Sequence, residues 1–351
     1  MSILSKGLAV VCALASIVTG VASMLLFNLD QKAFDPQTYQ QVFAEEELYQ
    51  RLPSIIAKAL VASPQQDDLP LAMQGLSTEN WENFIRALLP PEALQAMGED
   101  ALEALFAYIN GEKDVAEFSL VPLKQSMAGE AGIQAVLDLM NTQPDCSVAQ
   151  IARMSVAILS EDEIVLCNPP QEALPLITPI IKGQLQFAAA VIPDRIPIIS
   201  ADAGARTEDP RRQLRVLRVF MRLSPLVPLG FLLALSLLVV RSLRSWLVWW
   251  GWPMFFTGLM AILSSLLGAP VVGLLILRFM LRHETNYIPA VFLDSGSQLA
   301  AAIVEQLLRP TLLQGLTLAT LGIILVMVAF FMKRFAAAGQ VLPSGEGDTL
   351  T

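Results

Sequence analysis

The sequence predicts a mainly α-helical fold: a four-helix transmembrane bundle with a large, mostly helical extracytoplasmic domain inserted between spans one and two. Three observations predict it. Of the 351 residues, 54% are hydrophobic and 16% are charged, against ~25% charged in an ordinary globular domain. Four charge-free stretches approach or exceed the ~20 apolar residues that a helix needs to cross a bilayer. Charge is also segregated: residues 28–210 hold 27 of the 32 acids but only 10 of the 23 bases.

The first stretch runs from Gly7 to Phe27, between Lys6 and Asp30. It exceeds the ~7–15 residues of a signal-peptide core. It has no small-x-small cleavage site near Ser23, and Val11 before Cys12 makes a poor lipoprotein site. An uncleaved signal anchor over residues 1–29 is therefore expected. The second stretch is Leu223–Val240. The third lies between Arg244 and Arg278 and is most apolar from Pro253 to Leu277. The fourth is Pro310–Met332. Pro225, Pro228 and Pro270 would start or kink helices, which a bundle tolerates.

Positive charge sets the expected orientation. With both termini cytoplasmic, Lys6, Arg241, Arg244, Lys333 and Arg334 all fall inside, and residues 28–222 fall outside. In "WLVWWGWP", Trp246, Trp249, Trp250 and Trp252 crowd the start of the third span. Indole rings favour the headgroup level, so these read as an interfacial belt, with an aromatic ligand cage as the alternative.

The acidic domain, residues 30–210, reads as a series of helices. In "TENWENFIRALLP", Trp81, Phe84, Ile85, Leu88 and Leu89 form one helical face behind a cap at Thr78. A following helix turns Leu94, Leu102, Leu105, Phe106 and Ile109 inward and stops at Gly111. "DPQTYQQVFAEEELYQRL" is a helix expected to break near Pro53. Ile133, Val136, Leu137 and Met140 mark another, and "VAQIARMSVAIL" and "QEALPLITPIIKGQLQFAAAVI" give two more. "EFSLV" and "RIPIIS" are short β-prone pieces that could pair. Residues 278–309 are a second outward segment, with a helix after a Ser/Gly break. From residue 335 a polar, disordered cytoplasmic tail is expected.

Cys146 and Cys167 both fall in the outward domain, where thiols meet an oxidising compartment and tend to pair. A structural disulfide is expected, closing a loop around "VAQIARMSVAIL"; two inert thiols are the alternative. A zinc site wants four Cys or His ligands, and the chain has three cysteines and one histidine.

No catalytic, cofactor-binding or metal-binding residue is expected. His283 in "LRHETN" has neither a GxSxG elbow nor the second histidine of HExxH. Glu45–Glu47, Asp67–Asp68 and Glu161–Glu163 lack calcium-loop spacing and read as solvated acidic surface. No ionisable residue sits inside the four stretches, which argues against an autonomous ion-coupled transporter. "GLMAILSSLLGAPVVG" instead offers small residues for close helix packing.

"RRQLRVLRVFMR" (211–222) is the most distinctive stretch. Arg211, Arg215, Arg218 and Arg222 form one stripe of a helix entering the second span. Their guanidinium groups suit lipid phosphates, a clamp on the acidic domain, or an anionic ligand. A stalk fixing the domain at the membrane is the favoured expectation.

"DPQTYQQVFAEEELYQRLP", the "C…CNPP" pair and "VRSLRSWLVWWGWPM" together resemble bacterial multi-pass proteins with a large helical extracytoplasmic domain. That group has no assigned activity, so the resemblance implies no functional residue. The outward domain also lacks an N-x-S/T sequon, which agrees with a bacterial source. The lipid bilayer is the expected partner, with an envelope or membrane protein as a second. No nucleic acid partner is expected: an acidic block joined to basic, apolar segments argues against one, because a nucleic-acid binder needs a clustered basic face to neutralise phosphates. The expected role is an interaction, sensing or assembly domain held on a membrane anchor. The alternatives are an accessory subunit of a transport or secretion complex, and an enzyme acting on lipid or envelope polymer.

Overall fold

The computed structural model describes residues 3–62, 76–147, 150, 167–199, 210–240, 242–282 and 290–338. Within them the fold is mostly helical. The elements are α1 (Ile3–Ala33), α2 (Pro36–Glu45), α3 (Leu48–Ala62), α4 (Thr78–Leu88), α5 (Pro91–Asn110), β1 (Ala116–Ser119), α6 (Val121–Ala128) and α7 (Glu130–Asn141). Then come α8 (Leu174–Val191), β2 (Arg195–Ile199), α9 (Pro210–Leu223), α10 (Leu226–Val239), α11 (Leu243–Arg282) and α12 (Ala290–Ala338). They divide into an acidic unit, residues 35–212 with 273–302, and an apolar unit, residues 1–34, 213–272 and 303–351.

Among the described residues, five helical segments are long and apolar enough to cross a membrane, by length and composition. Four correspond to the expected stretches. The fifth, Gln171–Val191, has the lowest mean hydropathy, 1.2, against 1.9–2.4 for the others. The first extends past Phe27 to Ala33 and so takes in Asp30 and Lys32. The expected Ser/Gly break at 295–297 is absent, because α12 runs unbroken through it and through Pro310.

Apolar side chains stand exposed all round the spans of the apolar unit. Leu237 is 89% exposed, and Leu8, Leu14, Val18, Leu266 and Leu267 are each at least half exposed. A helix apolar on every face belongs in a protein core or a membrane. Within the unit, Ala9, Leu235 and Val239 pack α1 against α10, joined by Trp249. The α11–α12 contact is a glycine seam. Cβ atoms built on Gly258 and Gly322 would stand 2.5 Å from the Gly315 carbonyl oxygen and the Phe255 backbone nitrogen. Gly251 and Gly258 on one helix, and Gly315 and Gly322 on the other, repeat every seven residues, which keeps them on one face. Small residues let two backbones touch where no hydrophobic effect drives them together.

The acidic unit is held by apolar clusters. Ala57, Leu76, Trp81, Ile85 and Leu139 join α3, α4 and α7. Met140, Ile177 and Ile181 join α7 to α8. Tyr39 of α2 stacks on Phe106 of α5 at 5.1 Å. β1 and β2 pair antiparallel, Phe118 opposite Ile196.

Two local expectations shift. The cap of α4 is Ser77, whose hydroxyl accepts from the Asn80 N–H at 3.2 Å, one residue before Thr78. The chain breaks at Glu47 (φ 51°) rather than Pro53, which lies buried inside α3. Pro53 removes a single backbone donor near the start of α3, and the flanking apolar packing carries the helix through it. Gly111 ends α5 in the left-handed region (φ 78°), which glycine adopts without steric cost.

Candidate functional site at the arginine stripe

The arginine stripe lies on α9, which Pro210 starts and the Ser224–Pro225 turn ends. In the acidic unit, Arg211 reaches the Asp114 carboxylate at 3.3 Å and the Lys113 carbonyl at 3.4 Å. It also lies 4.8 Å above the Tyr108 ring. These contacts are exposed and individually weak.

In the apolar unit the arrangement is tighter. Asp30, near the end of α1, is 3% exposed and accepts from Arg218 Nε at 2.9 Å and Arg222 Nε at 2.8 Å, one arginine on each carboxylate oxygen. Arg218 also covers the Phe34 ring at 4.5 Å. The Ser224 hydroxyl lies 2.7 Å from the Met221 carbonyl and 3.2 Å from the Ser23 carbonyl, which sets the α9–α10 turn against α1. The four arginines of the sequence reading therefore do different things. Arg218 and Arg222 converge on one buried carboxylate, Arg211 has partners of its own, and Arg215 is exposed.

Asn28 makes a second polar joint in the same unit. Its amide donates to Thr311 Oγ1 at 2.9 Å and Gln314 Oε1 at 2.8 Å, and Gln314 donates back at 3.0 Å. Sequence reasoning missed this joint and the role of Asp30, because both look like ordinary polar residues flanking a span. The available signal was polarity at otherwise apolar span ends, since polar groups there need partners from other helices.

A cavity of about 360 Å³ lies among α1, α10, α11 and α12 of the apolar unit. Phe27, Pro225, Leu229, Leu232, Trp250 and Met254 line it, with Ser16, Ser23, Thr257 and Gln314 as polar points.

The four tryptophans take separate positions. Trp246 and Trp250 lie 5.1 Å apart, and Trp250 donates to Ser236 Oγ at 2.7 Å. Trp249 packs against Leu235 and Val239, while Trp252 is 47% exposed beside Phe256.

Cys146 and Cys167 form a disulfide, with Cα atoms 5.0 Å apart. It joins the chain after α7 to the chain before α8. Beside it, Cys146 N–H donates to the Asn168 carbonyl and Asn168 N–H to the Pro144 carbonyl, both at 2.9 Å. The acidic unit also has a groove of about 380 Å³ along α4 and α7, lined by Asn80, Asn83, Arg86, Asp138 and Thr142. Burial holds the Tyr39 phenol above its ordinary pKa. Burial and the Glu99 charge do the same for Tyr49.

Arg241, His283, Asp67–Asp68, Glu161–Glu163, the "VAQIARMSVAIL" helix after Gln150 and the tail after Ala338 lie outside the described residues. Among the described residues, no group of three or more His, Cys, Asp or Glu side chains is placed to hold a metal. No family model, curated protein or solved structure matches the chain.

Proposed function

We propose that this chain is a non-enzymatic, four-span membrane protein that presents its acidic unit outside the membrane for interaction, sensing or assembly. The observation that carries this reading is the contrast between the units. One exposes leucine and phenylalanine on every side of its helices. The other closes around its own apolar clusters, carries the acidic charge and is tied by a disulfide. Disulfides persist in oxidising compartments, which favours the outside for residues 28–222 and the cytoplasm for both termini.

α8 is read as a helix of the acidic unit rather than a fifth span. Its low hydropathy and its packing through Ile177 and Ile181 onto Met140 favour this. An odd fifth span would also place the two termini on opposite sides. The enzyme alternative draws less support. The groove along α4 and α7 is lined by a single carboxylate, Asp138, whereas glycoside hydrolysis generally uses two.

Protease added to intact spheroplasts, with a tag fused after Thr351, tests the orientation. Cleavage within the acidic unit while the tag survives until permeabilisation is the expected result. Loss of the tag from intact spheroplasts, with the acidic unit protected, overturns the reading.

A further inference from the structure

We propose that the apolar unit holds one anionic phospholipid, with an acyl chain in the cavity beneath the Asp30 cluster and its phosphate at Arg222 and Arg215. The proposal rests on the membrane reading above and adds a specific ligand to it.

The cavity extends along α1. Its lining on α1 runs from Ser16 to Phe27, which at 1.5 Å per residue is about 16 Å along the helix. That shape suits an acyl chain. The wall is mostly apolar, and three of its polar side chains already have partners: the Ser23 hydroxyl donates to the Gly20 carbonyl, the Trp250 N–H donates to Ser236 Oγ, and the Gln314 amide pairs with Asn28. Ser16 and Thr257 are the remaining polar points of an otherwise apolar wall, which suits an apolar chain better than a polar ligand.

Charge identifies the head. Phe27 and Pro225, at one end of the cavity, stand three residues from Asp30 and Arg222, less than one helical turn. Asp30 is shared by two arginines, so the cluster keeps a net positive charge. The Asn28–Thr311 bond sets the start of the fourth stretch at the same level. Across residues 28–34, 213–222 and 303–311 the unit has the bases Lys32, Arg215, Arg218, Arg222 and Arg309 against the acids Asp30 and Glu305. Arg222 is 61% exposed, and among the described residues its one hydrogen bond is from Nε to Asp30. A guanidinium carries five N–H donors in a planar fork, so the outer edge of Arg222 remains able to take phosphate oxygens. Asp30 fixes that side chain in place beforehand. A basic ring above an apolar slot is complementary to one molecule that is anionic at its head and apolar along its chain.

Native mass spectrometry of the full-length protein, released from micelles doped with equal phosphatidylglycerol and phosphatidylcholine, tests this. The expected result is a single retained lipid, with phosphatidylglycerol preferred. The preference should fall roughly fivefold for each arginine removed in Arg215→Gln and Arg222→Gln, since a basic residue near a membrane surface is worth ~1 kcal/mol. The variant Leu229→Phe, at a half-exposed residue of the slot, should lose both lipids while keeping the disulfide and the melting temperature. Equal retention of the two lipids, or retention unchanged in the arginine and slot variants, overturns the proposal. Displacement of the bound lipid by excess inorganic phosphate overturns it too, by showing an anion site without a chain site. Failure of the membrane reading would look different: the protein would be recovered from cells without detergent.

Discussion

The two units solve the same problem, holding helices together, by different physics. In the acidic unit, water supplies the driving force. Met140, Leu139, Trp81 and Ile85 leave it, and each large side chain so buried contributes about 1.5–3 kcal/mol. Exposed ion pairs such as Arg86–Glu82 add little. On the proposed membrane reading, the surroundings of the apolar unit are as apolar as its helices, so burying leucine there gains nothing by transfer. There the contacts are glycine against glycine, Asn28 with Thr311 and Gln314, and Asp30 with two arginines. The same change, a larger side chain or a removed charge, therefore has different consequences in each.

The sharpest break in this comparison is Gly258→Leu. The added side chain meets backbone, which cannot rotate away, so the cost should exceed the ~3 kcal/mol upper range of ordinary overpacking. Gel-filtration profiles in detergent should show loss of the monodisperse species. Asp30→Ala comes next. Losing one partner of a buried pair costs about 3–5 kcal/mol, and the partial exposure of Arg222 should hold the value near the bottom of that range. Thermal melts in detergent read it, and Asp30→Glu should recover part of the loss.

A smaller effect is expected in the acidic unit from Cys146→Ser with Cys167→Ser. The bridged residues are 21 apart, which the chain-entropy account values at roughly 3 kcal/mol, with measured disulfides often giving less. Protease resistance of the acidic unit should fall while the apolar unit's melt is unchanged. A parallel loss in both would show that they do not behave as separate units.

Tyr49→Phe should have the smallest effect near neutral pH. The Tyr49 hydroxyl is buried and has no hydrogen-bond partner among the described residues, so its removal should be neutral or slightly stabilising. Alkaline pH separates the variants. Burial and Glu99 make the folded protein hold the phenol proton more tightly than the unfolded chain, whose value is 10.0. The contribution is complete below pH 10.0 and is lost as pH rises through the folded value. Wild type should therefore lose stability faster than Tyr49→Phe above pH 10.0.

What sequence could show follows the same division. Local chemistry was legible: the stop at Gly111 and the helical faces around Trp81 and Ile133 all depend on neighbours a few residues away. The pairing of Cys146 with Cys167 followed from compartment and count. Contacts across the fold were not legible. Asp30 and Arg222 are 192 residues apart, and Asn28 and Gln314 are 286 apart. Nothing within a helical turn distinguishes these residues from ordinary polar flanks. Gly258 was visible as a small residue, but Gly251 was not singled out, and the register of the two against Gly315 and Gly322 exists only once two helices touch. The break at Glu47 was misplaced to Pro53 because proline is the stronger local signal, and packing around it prevailed.

The most direct test of the central claim is maleimide–PEG labelling of intact spheroplasts carrying the Cys12→Ala variant. The account predicts no label after denaturation alone. It predicts addition at both Cys146 and Cys167 once a membrane-impermeant reductant has acted before lysis. Labelling of both thiols without any reductant would contradict the disulfide. A bridge that opens only to a permeant reductant would place the acidic unit on the opposite side of the membrane.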